Sequence, residues 1–175
     1  MHCEGKEMAC RICGTNTCKD VIDLGDQVIT SRFPKVGEPP APSTRITLMM
    51  CGICGLVQLR DLVASSEMYE HMYGYRSGIS GTMRAHLRKY NEEIMLLASI
   101  EEGDAVLDIG SNDATFLKMY PASLKRHGCD PTGSQFASEY EGLLLTPTYF
   151  RKETIAPFGL KYKVVSSISM FYDLP

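Results

Sequence analysis

Cys10-Arg-Ile-Cys13-Gly14 and Cys51-Gly-Ile-Cys54-Gly55 are two copies of one short motif. Two residues between the cysteines let one tight turn aim both sulfurs at a single point, and the glycine that follows permits the positive φ such a turn commonly takes. Two knuckles supply four thiolates, the donor set of a closed tetrahedral zinc site with no position left for a substrate. Structural zinc is therefore the chemistry expected of Cys10, Cys13, Cys51 and Cys54. A thioredoxin-like redox pair accounts for one CxxC but not for two matched CxxCG units, and iron–sulfur ligation usually shows other spacings. Cys3, Cys18 and Cys129 bring the total to an odd seven, which with no apolar signal segment in MHCEGKEMAC favours metal over disulfides and a cytoplasmic location. Cys18, Cys3 and His2 lie near enough in sequence to replace a ligand; the matched pairs are kept.

A second set of residues lies in the other half of the chain. Ala105-Val-Leu-Asp108-Ile-Gly110 reads as a buried strand that runs into Ser111-Asn112-Asp113, and a second short strand ends at Cys129-Asp130. Strand, glycine turn, helix is the opening of a nucleotide-binding α/β unit, with an acidic residue about 20 positions on to meet ribose hydroxyls. A dinucleotide turn wants GxGxxG; here Gly110 stands alone, and Asn112 and Asp113 would crowd and repel a phosphate. Asp108, Gly110, Asn112 and Asp130 instead suit a cationic ligand that carries ribose and an amino-acid head but no phosphate. S-adenosylmethionine has that chemistry.

These residues need elements to position them. Between the knuckles lie 37 residues with strand signals at 21–25 and 44–49, and a further strand at 56–59, so residues 1–62 read as a small β-rich zinc-binding domain. Metal binding would supply much of its folding free energy, on the order of 10 kcal/mol. Residues 63–101 read as a helical connector. It holds a helix over 62–72, a loop Tyr73-Gly-Tyr75-Arg-Ser77-Gly-Ile-Ser80-Gly, and an amphipathic helix over 82–100 whose face is Met83, Leu87, Tyr90, Ile94, Leu97 and Ile100. His86, between the two faces, reads as a satisfied structural histidine. Residues 102–175 read as a partial α/β domain, with helices over 114–120 and from Asp130 to about 140 and further strands at 143–146 and 161–167. The fold class expected is α/β.

The net charge of −3 offers no electrostatic footprint for nucleic acid. No apolar run reaches the roughly 20 residues of a membrane span.

The segments named so far, in their order and spacing, resemble the zinc-containing, S-adenosylmethionine-dependent sugar C-methyltransferases. The resemblance covers almost the whole chain. It rests on the two knuckles, Asp23-Leu-Gly25 with Gln27, Leu56-Val-Gln-Leu59, Tyr73-Gly-Tyr75-Arg-Ser77, Ser80-Gly-Thr82-Met83 with His86, Leu107-Asp-Ile-Gly-Ser-Asn-Asp113 and Ser169-Met-Phe-Tyr-Asp-Leu-Pro175. It implies a zinc-binding domain beside the first half of a class I, Rossmann-like methyltransferase domain, and a nucleotide-linked 4-keto deoxysugar as substrate. The implied chemistry is removal of the proton α to the ketone, followed by attack of the enolate carbon on the donor methyl. It also implies that the tyrosine loop faces the active site, which makes Tyr73 and Tyr75 catalytic candidates. Asp173 stands where many relatives carry a histidine, and Ala114 stands where they usually carry glycine. Relatives continue past the strands readable here into a sugar-binding domain, so the chain alone is expected to be inactive. The alternative is a non-catalytic zinc-stabilised binding or assembly module that retains the cofactor half-site.

Overall fold

The computed structural model describes residues 8–30, 32–69 and 73–171. The chain divides into two compact units, Met1–Met68 and Tyr69–Pro175. It is a mixed α/β protein, with a small antiparallel sheet in the first unit and a parallel sheet in the second.

The first unit is a three-stranded antiparallel sheet of β1 (Cys18–Val28), β2 (Ser43–Cys51) and β3 (Val57–Leu59), in that order. β1 is longer than the strand read at 21–25. Gly25 does take positive φ (68°), but as part of an irregularity inside the strand, where the register slips between Asp23 and Asp26. The Gly25 N–H donates to Asp23 Oδ1 at 2.9 Å, and Asp23 also pairs with Arg45 across the ladder. The slip lets one strand carry on through a glycine that would otherwise end it. The core of this unit is small: Met49, Thr47, Gln58 and Ile29 are buried, whereas Val21, Ile22, Leu24 and Val28 on β1 are all exposed. A sheet with so little apolar burial needs another source of stability.

The second unit opens with Tyr69, the last residue of the short helix α1 (Ser65–Tyr69), followed by α2 (Gly81–Leu97). Residues 70–72, the end of the helix read over 62–72, lie outside the described residues. The Ser80 hydroxyl caps α2 by accepting from Met83 N. Four parallel strands follow: β4 (Ala105–Ile109), β5 (Lys125–Cys129), β6 (Leu144–Thr146) and, after the one-turn helix α3 (Lys152–Ile155), β7 (Tyr162–Ser167). Their order is β6-β5-β4-β7, which is the order of the first half of a doubly wound sheet. Alternate side chains of β4 serve opposite faces. Val106 joins Leu87 of α2, Phe116, Leu117 and Tyr140 on one side, while Leu107 and Ile109 join Cys129 and Ile155 on the other.

The face of α2 departs from expectation. Leu97 is 85% exposed and Tyr90 is exposed, while Asn91 is buried beside Leu87. With 3.6 residues per turn, the stripe through Met83 and Leu87 falls on Asn91, Ile94, Met95 and Ala98, not on Tyr90 and Leu97. His86 is likewise exposed, its ring stacked on Tyr90 at 6.4 Å. The helix read over 114–120 is a single 3-10 turn, Leu117–Met119, and that read from Asp130 is a 3-10 segment broken at Phe136. No helix among the described residues is long and apolar enough to cross a membrane.

Candidate metal centre and ligand turn

The two knuckles are built alike, hydrogen bond for hydrogen bond. Cys10 N donates to Thr15 O (2.8 Å) and Gly14 N to Cys10 O (2.8 Å); Cys51 N donates to Leu56 O (2.9 Å) and Gly55 N to Cys51 O (3.0 Å). Gly14 and Gly55 sit at φ 72° and 73°, a conformation that a side chain would strain. The ligand atoms of Cys10, Cys13, Cys51 and Cys54 all lie within 4.8 Å of one another. Cys10 Sγ is 3.5 Å from Cys54 Sγ, and Cys13 Sγ is 3.6 Å from Cys51 Sγ. A tetrahedron with Zn–S bonds of about 2.3 Å has edges of about 3.8 Å, so the sulfurs stand at the spacing zinc requires.

The surroundings favour thiolates. N–H groups of Cys54 and Ile53 and the Thr15 hydroxyl bring the Cys51 thiol down to about 5. Thr15 also lowers Cys13 through its hydroxyl and its backbone, the hydroxyl lying 3.2 Å from Cys13 Sγ. Cys54, although the Leu56 N–H favours its thiolate, is pushed up to about 12 by Cys10 and the other thiols. Four negative sulfurs at this distance repel one another, and a divalent cation at their centre removes that repulsion. Gln58 ties the first knuckle to the sheet: its Oε1 accepts from Arg11 N at 3.0 Å, and Arg11 Nη2 reaches Leu59 O at 3.0 Å. Thr15 and Gln58 had no chemical signal of their own in the sequence; only the turn geometry brings them to the cysteines. Cys18 pairs with Cys51 across the ladder but is not one of the four clustered ligands, and Cys3 and His2 lie outside the described residues.

The second site is the turn after β4. Three carboxylates meet there, and all are buried: Asp108 at 4%, Asp113 at 2% and Asp130 at 6% exposure. Asp108 Oδ1 accepts from Ser166 Oγ on β7 at 2.7 Å. Burial pushes its carboxyl up to about 7, the Ser166 hydrogen bond opposing and the Asp130 charge adding to the rise. Gly110 takes φ 76°, and a Cβ there would lie 2.9 Å from Met170 Cγ. Asp130 Oδ2 accepts from Asn112 N (2.8 Å), while its Oδ1 accepts from both the N–H and the hydroxyl of Thr132 (2.6 Å each). Oδ1 is therefore saturated and Oδ2 keeps one lone pair. Tyr140, which the sequence did not single out, braces the turn from below. Its hydroxyl is 2.8 Å from Ser111 Oγ and donates to Asn112 O at 2.7 Å.

The Asn112 carboxamide faces the tyrosine loop. Its Nδ2 donates to Tyr75 O and its Oδ1 accepts from Ser77 N, both at 3.0 Å. The rings of Tyr69, Tyr73 and Tyr75 form a row with centroid separations of 5.5 and 6.4 Å, and Tyr75 is exposed. Asp173 lies outside the described residues. The structure thus gathers the four cysteines in one unit and, in the other, brings Asp108, Gly110, Asn112 and Asp130 to one turn with the loop of Tyr73 and Tyr75 against it.

Residues 10–69 match a family model described as "Putative zinc binding domain". Over 125 residues the chain is 26% identical to C-methyltransferase NovU of Streptomyces niveus, a match that covers 70% of this chain and 30% of that protein. The chain thus spans under a third of the length of the curated relative it matches. The cysteine geometry and the family match agree: the N-terminal unit is a zinc-binding domain, in a chain related to a C-methyltransferase.

Proposed function

We propose that the second unit is the cofactor-binding part of an S-adenosylmethionine-dependent C-methyltransferase acting on a nucleotide-linked 4-keto deoxysugar. The observation that carries this reading is the pair of buried carboxylates, Asp108 and Asp130, at the turn after β4. In a doubly wound sheet, ligands sit outside the carboxyl ends of the strands where the strand order reverses, which here is between β4 and β7. A phosphate has no cradle at that point: the Asn112 N–H that would meet it is donated to Asp130, and the neighbouring charges are negative. A ligand with an ammonium group suits the site, because Asp108 bears a desolvation penalty that a cation would relieve.

Asp108 would hold the ammonium group of the methionyl part, and the free lone pair of Asp130 Oδ2 would take one ribose hydroxyl. Gly110 leaves the space that Met170 fills against the turn. S-adenosylmethionine, when bound, supplies an electrophilic methyl group. The protein's own tasks are to remove the proton α to the substrate ketone and to stabilise the enolate oxygen. Tyr73 and Tyr75, whose loop is held to the turn through Tyr75 O and Ser77 N, would offer phenol groups for those tasks, with Asp173 a further candidate. A substrate of this kind would come from a reaction that oxidises or dehydrates a nucleotide-linked sugar to a 4-ketone. Zinc held by Cys10, Cys13, Cys51 and Cys54 would have no open position for a substrate and would serve to hold the first unit together.

Equilibrium dialysis of the zinc-loaded chain with labelled S-adenosylmethionine, with NAD as competitor, tests the ligand class. Retention that NAD does not displace is expected. Displacement by NAD would point to a dinucleotide, and no retention of either would favour a non-catalytic zinc-stabilised module.

A further inference from the structure

Asn112 and Asp113 stand where a nucleotide-binding turn would approach its ligand, yet both side chains are engaged with the tyrosine loop. Asp113 Oδ2 accepts from Gly78 N at 3.0 Å, and its Oδ1 accepts from Thr115 Oγ1 at 2.7 Å. Asn112 holds the loop one step earlier, at Tyr75 O and Ser77 N. The fit at Gly78 is tight: a Cβ there would lie 2.6 Å from Thr115 Oγ1 and 2.9 Å from Asp113 Oδ2. From the other side, Arg84 of α2 donates to the carbonyls of Gly78 and Ile79.

Arg76 lies between these anchored residues and meets three partners. Its Nε is 3.4 Å from Asp113 Oδ2, its Nη2 is 3.0 Å from Glu139 Oε1, and its guanidinium lies 5.0 Å from the centroid of the Phe136 ring. Glu139 is held in turn by Lys118. Among the described residues, the ion pair of the buried Asp113 is with Arg76. A buried carboxylate left without a counter-charge is costly, and the guanidinium supplies one beside the oxygen that accepts from Gly78 N. Phe136 is also where the 3-10 segment leaves helical geometry (φ −116°, ψ 27°), and its ring lies under the guanidinium.

We propose that Arg76 is a positioning residue that locks the loop of Tyr73 and Tyr75 onto the turn after β4, so that the loop and the ligand turn move as one body. The proposal rests on the cofactor reading for its functional consequence: occupation of the turn fixes where the tyrosines stand, and loss of the lock loosens both. Arg76 contacts Asp113, Glu139 and the Phe136 ring. Its effect passes through Asp113, Gly78 and the loop backbone.

Amide hydrogen exchange on the zinc-loaded chain, read at Ser77 and Gly78, tests the lock without ligand. These amides are expected to exchange at least tenfold faster in Arg76→Ala than in the wild type, while the amides of α2 and β4 keep their wild-type rates. Equal rates at Ser77 and Gly78 would overturn the proposal, as would Ser77 and Gly78 amides already unprotected in the wild type. Should Arg76→Ala unfold, Arg76→Gln, which keeps a polar stem of similar length, is read in the same way.

Calorimetry with S-adenosylhomocysteine then tests the coupling. Arg76→Ala and Asp113→Asn are each expected to weaken binding about tenfold, and the double variant no further, because both remove one interaction. Wild-type affinity in Arg76→Ala would overturn the coupling, and fully additive losses would overturn the shared lock. A wild-type chain that binds no S-adenosylhomocysteine but protects Ser77 and Gly78 through Arg76 would refute the cofactor reading and leave the lock standing.

Discussion

The Asp108 carboxyl is buried between β4 and β7 with Ser166 beside it, and burial raises it to about 7, well above the ordinary carboxylate range. An acid whose folded value is raised is stabilising in its protonated form, and that contribution is lost as pH rises through the folded value. Asp108→Asn is therefore expected to stabilise the ligand-free second unit above pH 7, by at most about 4 kcal/mol. The gain should shrink toward pH 4; urea unfolding at pH 5 and pH 8 measures it. His127 has the opposite sign. Its ring is buried, with Nδ1 2.6 Å from the Tyr162 hydroxyl and Nε2 2.8 Å from Thr146 Oγ1, and burial lowers its value. A lowered histidine is charged more readily in the unfolded chain, so stability is expected to fall as pH drops below about 6.5. His127→Phe should flatten that acid limb while costing roughly 1–3 kcal/mol at neutral pH, because Tyr162 and Thr146 lose their partner.

At the scale of elements, one glycine controls the seat of the turn. A Cβ on Gly128 of β5 would lie 2.5 Å from Ser111 Oγ and 2.7 Å from Tyr140 Cε1, the two residues whose hydroxyls brace the turn. Gly128→Ala is expected to destabilise the second unit by about 1–3 kcal/mol through overpacking and to weaken S-adenosylhomocysteine binding; thermal unfolding and calorimetry check the two effects. Much of this architecture was legible beforehand. The knuckles, the strand that carries Asp108, and the acidic residue after β5 each follow from local pattern. What was not legible depended on tertiary contacts or on counting space. The helix read over 114–120 has Ala114 at φ 58° on one side and Pro121 on the other, too few residues to offset helix nucleation. Ala114 also explains itself: the positive φ there is the one glycine adopts easily. The stripe of α2 was misread at Tyr90 and Leu97 because alternatives one residue apart look alike in sequence, while only one of them faces the sheet.

At the scale of the whole molecule, the two units draw on different sources of stability. The first has a small core and a row of exposed apolar side chains on β1, whereas the second buries both faces of β4. Zinc removal by a chelator, or Cys51→Ser, is expected to unfold the first unit. The loss should be on the order of 10 kcal/mol, with the unfolding transition of the second unit preserved. Hydrogen exchange across β2 and β4 distinguishes the two; a metal-free chain with β2 fully protected would exclude a structural role for the metal.

The central claim is that the turn after β4 takes a nucleoside whose ammonium group is held by Asp108. Calorimetric titration of the zinc-loaded chain with S-adenosylhomocysteine at pH 6.5, in two buffers of different ionisation enthalpy, measures binding and proton release together. The account predicts one site per chain, a proton released as Asp108 ionises against the ligand's ammonium group, tighter binding at pH 8, and loss of binding in Asp108→Asn. A folded, zinc-loaded chain that binds no S-adenosylhomocysteine, or binds it equally well as Asp108→Asn, would contradict it.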